Sequence, residues 1–302
     1  NSECVHWPSG KYGLPKVTSG CPSSYGFRWR TGWRFQDTNS YYSNNRKSEE
    51  FHLDGEVDNK KVNRSFCIKT NTVNDLENSR PSWPSGKYCV YKKGLLCPTG
   101  LTNGFVYWDD ADDDDDYYNL NKKGGILPSG RYEGGDTKIK FCCKTDGNKS
   151  EPILLPTELP FFLLAYGSKK CQMVKWAIAT PEWIYYDTED NQNIDDRGRY
   201  YPYNAGKQHP TIYYCYYRGY KLSYHHTSMK FCINMTTDLL SIQLTVECTV
   251  KNNSAFNNNQ QIYEAKNPNC TVKFLLRVHF NCSTFHKALT LSRATRYLSL
   301  RM

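Results

Sequence analysis

The chain has 302 residues, of which 38% are hydrophobic and 23% are charged, and its formal net charge is +9 at pH 7. This length allows two domains, and the longest apolar runs, such as Phe161–Tyr166, are far too short to span a bilayer. Thirteen Cys without a Cys-x-x-Cys pair argue against a zinc site and for disulfide bonds in an oxidising compartment.

A threefold internal repeat organises the first 218 residues. In each copy a leading Cys stands nine positions after an aromatic residue and 44 to 46 positions before a second Cys. Between the two Cys lies an alternating block, which reads Trp33–Thr38, Phe105–Asp110 and Trp183–Thr188. Because a unit of about 70 residues buries little core alone, the copies (about 5–74, 82–146 and 152–218) are predicted to form one pseudo-threefold domain.

The repeat domain is predicted to be all-β. Tyr, Val, Ile, Thr and Phe occur in short runs that Gly, Pro, Asn and Asp interrupt, as in Thr137–Cys142, and helical spacing is absent. Helix content should therefore stay below about 15%. The equivalent residues Trp33, Phe105 and Trp183 are expected to form a shared core layer.

The repeat pattern ends near Arg218–Lys221, which predicts a second, smaller β domain at 219–302. This tail has ten Lys or Arg and three acids, hence a charge of +7. A basic segment of this kind indicates an anionic polymer as partner, and a solvated basic face without ligand is the alternative.

The Cys spacing predicts one disulfide within each copy, because equivalent positions should have the same role. The pairs are Cys21–Cys67, Cys97–Cys142 and Cys171–Cys215. Cys89 and Cys143 both belong to copy two and are predicted to pair, which leaves Cys4 without an assigned partner. The tail should pair internally, in an arrangement left open, among Cys232, Cys248, Cys270 and Cys282.

Aromatic residues near the strand starts are the candidate ligand-binding residues. Trp7 and Trp83 each begin a Trp-Pro-Ser-Gly segment that leads to Tyr12 and Tyr88. Aromatic rings in such loops are good platforms for sugar faces. Packing of Trp7 and Trp83 in the core is the alternative.

The acidic loops are the candidate metal site. Seven carboxylates fall within residues 109–116, and copy three has a second group. Oxygen ligands suit Ca²⁺, so calcium at Asp109 and Asp110 or at Asp187 and Asp190 is a hypothesis. A solvated acidic tip is the alternative for residues 112–116.

Secretion is predicted from the Cys content and from six Asn-x-Ser/Thr sequons, at Asn63, Asn148, Asn234, Asn252, Asn269 and Asn281. The chain begins at Asn1 without a Met, which fits a mature form after signal removal. An extracellular location makes nucleic acid an improbable partner.

The motifs of copies one and two resemble the C-terminal domain of apextrins, a family of secreted invertebrate proteins. They include Trp7–Pro15, Gly20-Cys21-Pro22, Trp83–Cys89 and Phe141-Cys142-Cys143, and copy three adds Cys171-Gln172 and Tyr213–Tyr217. The resemblance covers residues 5–218. It implies an extracellular, non-enzymatic domain that binds bacterial cell walls or belongs to apical extracellular matrix, and it brings no catalytic residues.

The sequence contains no Gly-x-Ser-x-Gly, His-Glu-x-x-His or phosphate-binding Gly loop, so we expect no enzyme. The prediction is a secreted recognition protein that binds cell-wall glycan or another anionic polysaccharide. The alternative is a structural protein of matrix, mucus or egg coat that assembles with copies of itself as a homo-oligomer.

Overall fold

The computed structural model describes residues 5–24, 26–38, 44–70, 81–110, 120–132, 135–188 and 193–220, and the backbone of 229–234, 240–249 and 271–280. The chain divides into two compact units, Asn1–Leu222 and Ser223–Met302. Every regular element in the described part is a β-strand, so the protein is all-β. No helix among these residues is long and apolar enough to cross a membrane.

The described part of the first unit contains fourteen strands in one sheet. Copy one has β1 Tyr12–Pro15, β2 Trp29–Asp37, β3 Arg46–Lys47, β4 Gly55–Val57 and β5 Lys61–Lys69. Copy two has β6 Tyr88–Lys92, β7 Thr102–Trp108, β8 Lys122–Gly125, β9 Gly130–Arg131 and β10 Thr137–Lys144. Copy three has β11 Phe161–Ala165, β12 Ala177–Tyr185, β13 Asp196–Arg197 and β14 Thr211–Gly219.

Strand pairing within each copy follows one order. The first strand pairs antiparallel with the last, as β1 with β5, β6 with β10 and β11 with β14. The last strand also pairs with the second, as β5 with β2, β10 with β7 and β14 with β12. Pseudo-threefold symmetry itself stays a prediction, whose measure is superposition of the three copies.

Short strands connect each copy to another. The strand β8 of copy two pairs with β2 of copy one, β13 of copy three pairs with β7 of copy two, and β3 of copy one pairs with β12 of copy three. Each copy therefore donates one short strand and receives one, and no copy lies at a free end of the arrangement.

Two clusters of buried side chains cover the two faces of the central strands. One cluster includes Tyr91, Phe141 and Leu164, and the other includes Val90 and Leu163. A strand covered on both faces needs apolar residues at every position. This requirement explains the continuous apolar run Phe161–Ala165, in which all five residues are buried.

The expected core layer of Trp33, Phe105 and Trp183 was wrong. Trp33 is 39% exposed, and Phe105 and Trp183 are half-buried. Side chains alternate between the faces of a strand, and the inward positions belong to the next residues, which are Arg34, Val106 and Ile184. An aromatic residue in an alternating block therefore did not reveal which face was buried.

Among the described residues of the first unit, four disulfides are formed. They join Cys21 to Cys67, Cys89 to Cys143, Cys97 to Cys142 and Cys171 to Cys215. These are the pairings expected from the repeat spacing and from the position of the extra pair in copy two. Cys4 and the side chains of the four tail Cys lie outside the described residues.

The second unit contains one antiparallel sheet in its described part. Its strands are β15 Met229–Asn234, β16 Leu240–Thr249 and β17 Thr271–Phe280, with β16 between the other two. The alternating sequence of residues 240–249 agrees with a strand in that position.

Candidate functional site

The four aromatic residues expected to bind ligand are in the interior. Trp7, Tyr12, Trp83 and Tyr88 are 1%, 0%, 3% and 1% exposed. Trp7 packs edge-to-face on Phe161, with ring centroids 5.1 Å apart. An exposed sugar platform is therefore not formed by these residues, and packing in the core is their observed role.

The Pro-Ser-Gly segments close on themselves, which explains the burial of the tyrosines. The Tyr12 hydroxyl donates to the Pro8 carbonyl oxygen at 3.2 Å, and the Tyr88 hydroxyl donates to the Pro84 oxygen at 2.5 Å. A third Pro-Ser-Gly segment repeats the contact, since the Tyr132 hydroxyl donates to Pro128 at 3.0 Å. The motif is thus a turn that anchors a tyrosine.

The candidate calcium residues form contacts between copies, which we call the Asp clasps. The Asp109 backbone N–H donates to the Asp195 carboxylate at 2.8 Å, and the Asp109 carboxylate accepts from the Ile194 N–H at 2.7 Å. Asp187 has the same two-way contact with Asn45 and Asn44, at 2.8 and 2.7 Å.

The third Asp clasp joins copies one and two. The Asp37 N–H donates to the Asn121 side-chain oxygen at 2.8 Å, and the Leu120 N–H donates to the Asp37 carboxylate at 3.1 Å. The three contacts connect copy one with two, two with three and three with one. Equivalent residues at the end of each alternating block therefore hold the copies together.

The geometry gives the calcium hypothesis no support. The carboxylates of Asp109 and Asp187 accept hydrogen bonds from backbone amides. Asp110 is 1% exposed, and Asp190 lies outside the described residues. Within the part of the chain that the structure describes, no group of three or more His, Cys, Asp or Glu could hold a metal ion.

Asp110 belongs to a buried polar network. Its carboxylate accepts hydrogen bonds from Gln36 at 2.9 Å, from Asn121 at 3.1 Å and from the Thr137 hydroxyl. The Arg34 guanidinium is 3.6 Å away. Burial raises the pKa of Asp110 to about 7, although these donors and Arg34 act in the opposite direction.

Stability is expected to fall as the pH rises from about 4 to about 7. Unfolded Asp110 would titrate near its ordinary pKa of about 3.9, whereas the folded residue keeps its proton until about pH 7. The folded state therefore binds more protons in this window, and the stability that this difference supplies is lost as the pH increases. Burial also raises the pKa of Glu182 and Asp195. Thermal unfolding between pH 4 and 8 measures the slope, Asp110→Asn should flatten it, and stability that increases over this range would contradict the assignment.

A cleft rich in tyrosine and arginine opens in copy three. It has a volume of about 310 Å³, which is at the small end for ligand sites. It is lined by Tyr166, Gly167, Arg197, Arg199, Tyr201, Tyr203 and Asn204. We call it the Tyr/Arg cleft.

The arginines of the Tyr/Arg cleft differ in their roles. Arg197 donates to the Ala205 carbonyl oxygen at 2.7 Å, and its guanidinium carbon is 4.7 Å from the centre of the Tyr201 ring. Arg199 is exposed, and its guanidinium carbon is 5.5 Å from the centre of the Tyr200 ring. Arg197 therefore shapes the wall of the cleft, and Arg199 leaves its charge exposed at the cleft.

Copy three also contributes to a second cleft, of about 330 Å³. His52 is fixed there by the buried Glu182, with 2.6 Å between His52 Nδ1 and the carboxylate, and its ring stacks on Tyr216 at 4.1 Å. In the described part of the chain, no serine, threonine or cysteine is hydrogen-bonded to the His52 ring. Among the described residues, the His52–Glu182 pair therefore has no hydrogen-bonded nucleophile.

Two of the six sequons have described side chains. Asn148 is exposed, and Asn63 lies within β5, between β2 and β4. A glycan needs the access to solvent that Asn148 has. Asn234 lies at the end of β15, and Asn252, Asn269 and Asn281 fall outside the described residues.

The sequence analysis did not identify the Tyr/Arg cleft. Its signal was the dense run of Arg and Tyr at residues 197–203. A run of this kind is also typical of an exposed strand, and only the fold places Tyr166 beside it.

Comparison with known proteins identified a family. A family model described as the C-terminal domain of apextrin matches residues 7–217. No curated protein and no solved structure matched the chain.

Proposed function

The chain belongs to the family of the C-terminal domain of apextrin over residues 7–217, and on this premise we propose that it is a secreted recognition protein. Its ligand would be bacterial cell-wall glycan or a related anionic polysaccharide, bound without hydrolysis. The family, the four disulfides and the absence of a membrane-spanning helix among the described residues are consistent with an extracellular protein.

The Tyr/Arg cleft is the observation that carries this proposal. Tyrosine rings offer flat apolar surfaces for the CH faces of a sugar. An arginine offers paired N–H donors that match a carboxylate. The volume of the Tyr/Arg cleft, about 310 Å³, suits a short saccharide segment that bears a carboxylate, as cell-wall glycans do.

The basic tail supplies a second, long-range contribution. Its charge of +7 attracts an anionic polymer over a distance that salt limits to about 8 Å at physiological ionic strength. The two contributions respond differently to salt, since contacts inside a cleft are screened less than exposed charges.

Arg199→Ala is expected to weaken retention on insoluble peptidoglycan by about tenfold or more. The expected loss is that of a charge-assisted hydrogen bond, about 2 kcal/mol. Arg199→Lys should recover only part of the affinity, because lysine keeps the positive charge but lacks the paired N–H donors of the guanidinium. The measurement is a pull-down with the full chain at physiological and at high salt, with neutral chitin as the comparison polymer.

Arg131→Ala is the matched control, since Arg131 is also exposed but lies outside the Tyr/Arg cleft. Equal retention of Arg199→Ala and wild type would refute the cleft as the site. Release of soluble fragments from the polymer would refute a non-enzymatic role. Filaments or large oligomers at physiological salt, without retention on the polymer, would favour the matrix protein.

A further inference from the structure

Two consecutive leucines project from the loop between β6 and β7. Leu95 is 94% exposed and Leu96 is 82% exposed. Among the other large apolar side chains that the structure describes, the most exposed is Ile194, at 62%. Adjacent leucines with almost no cover are a costly surface feature, because each loses the free energy of burial.

The loop is held open on both sides of the leucines. The Gly94 N–H donates to the Ser129 hydroxyl oxygen at 2.9 Å, and that hydroxyl is 3.2 Å from the Gly94 carbonyl oxygen. The next residue after the leucines, Cys97, is bonded to Cys142. The leucines are therefore presented by a fixed backbone.

The other two copies show that the fold does not need apolar residues here. Counted back from the leading Cys of each copy, the positions of Leu95 and Leu96 hold Ser19 and Gly20 in copy one. In copy three the same positions hold Lys169 and Lys170, both exposed. Leucine at these two positions is therefore specific to copy two, and the fold does not require it.

Lysines flank the leucines. The Lys11 side chain lies beside Gly94, with its Cδ 3.4 Å from an ideal Cβ at that glycine. Burial lowers the pKa of Lys93, and the nearby Lys11 lowers it further. Lys92 itself is only 7% exposed and donates to the Asn103 side-chain oxygen at 3.0 Å, so the lysines left to meet a partner are the exposed Lys11 and the partly buried Lys93. Positive charge therefore collects at the base of the loop.

A loop with an apolar tip and lysines near its base is complementary to a lipid surface, which is apolar below a layer of anionic headgroups. A protein groove would match this loop only if it also had an acidic rim for the lysines, whereas an anionic lipid surface always combines an apolar interior with negative charge above it. A second copy of this chain would bring the same lysines together.

We propose that the loop Gly94–Cys97 docks the protein on an anionic phospholipid surface, with Leu95 and Leu96 inserted among the acyl chains and the flanking lysines at the headgroups. The contact is separate from the Tyr/Arg cleft, so the protein would bind lipid and glycan through different surfaces.

The test is flotation of the full chain with vesicles of phosphatidylcholine alone and with added phosphatidylglycerol. The basic tail also attracts anionic vesicles, so the variants are compared at about 1 M salt, where the Debye length is about 3 Å. Leu95→Ser combined with Leu96→Ser should reduce binding at high salt by about tenfold or more. Lys11→Gln should weaken binding to anionic vesicles about fivefold at low salt and leave phosphatidylcholine binding unchanged.

The matched control is Leu154→Ser combined with Leu159→Ser, since these leucines are 43% and 48% exposed and lie outside the loop. Equal flotation of the loop variant and this control would overturn the proposal. So would a wild-type dimer that the loop substitutions convert to a monomer without affecting vesicle binding. Peptidoglycan retention should stay unchanged in the loop variant, which keeps this test independent of the Tyr/Arg cleft.

Discussion

Arg64→Ala is expected to lower the free energy of unfolding by about 3–5 kcal/mol, because it removes a large buried side chain and leaves its hydrogen-bond partners without a donor. Arg64 is 2% exposed, and its neighbours come from all three copies. It donates to Gln36 at 2.5 Å and to the Tyr186 hydroxyl at 2.6 Å, and its guanidinium carbon is 4.6 Å from the centre of the Trp108 ring.

The three neighbours of Arg64 occupy equivalent positions, each one residue before an Asp of the Asp clasps. Alanine would leave the buried Gln36 oxygen and Tyr186 hydroxyl without this donor, and would also leave a cavity. The loss should therefore exceed that of a simple truncation of an apolar residue of the same size.

Urea unfolding followed by tryptophan fluorescence measures the effect on Arg64→Ala. Arg64→Met refills most of the volume, and it should recover part of the loss without restoring the hydrogen bonds. Arg30→Ala, on the exposed side of β2, should stay within about 0.5 kcal/mol of wild type. A folded Arg64→Ala protein with an unchanged midpoint would show that the network contributes nothing to stability.

Gly104→Ala should destabilise the protein by about 3 kcal/mol or more, at the upper end of overpacking. An ideal Cβ at Gly104 would lie 1.4 Å from the Tyr200 carbonyl oxygen. That oxygen belongs to the main chain of copy three, so no side-chain rotation relieves the clash and the two copies must move apart. In copy one, Gly32 has the same relation to Ile126, at 2.2 Å.

Copy three has no glycine at the equivalent position, which helps to define where glycine is required. The position equivalent to Gly104 holds Glu182, and its side chain accepts from the His52 backbone N–H at 2.9 Å. This junction therefore has room for a side chain where the other two have none. Gly206→Ala is the control, because the nearest atom to its Cβ would be 3.1 Å away. Equal unfolding midpoints for the two variants would contradict a close approach at Gly104.

Much of the fold follows from local and covalent patterns. The all-β class was predicted because β-branched and aromatic residues in short runs favour extended backbone whatever their partners. The disulfide pairs were predicted because each copy has a leading Cys and a second Cys at nearly constant spacing, as Cys21 and Cys67 are in copy one. Equivalent positions were expected to form equivalent bonds. Neither inference required knowledge of how the copies meet.

The candidate site was less accessible to prediction. Trp7 and Trp83 carry the right chemistry for binding sugars, but the Pro-Ser-Gly turn buries them. Asp109 and Asp187 carry the right chemistry for calcium, which stays a hypothesis, and the structure shows that their carboxylates accept hydrogen bonds from the amides of another copy. In both cases the residue type was compatible with two roles, and the contacts that these residues make come from distant parts of the chain.

The sequence by itself determined the spacing of the recurring motifs, the strand-forming segments, the disulfide pairs and the basic tail. These features depend on residues near one another in the chain or on recurrence. Only the tertiary structure decided which face of each block points inward, where the copies meet and which rings stay exposed. These properties depend on contacts between residues about 70 to 150 positions apart, such as Arg64 with Tyr186. The reason is physical: burial and hydrogen bonding are set by the neighbours that packing supplies, and those neighbours lie far away in the chain.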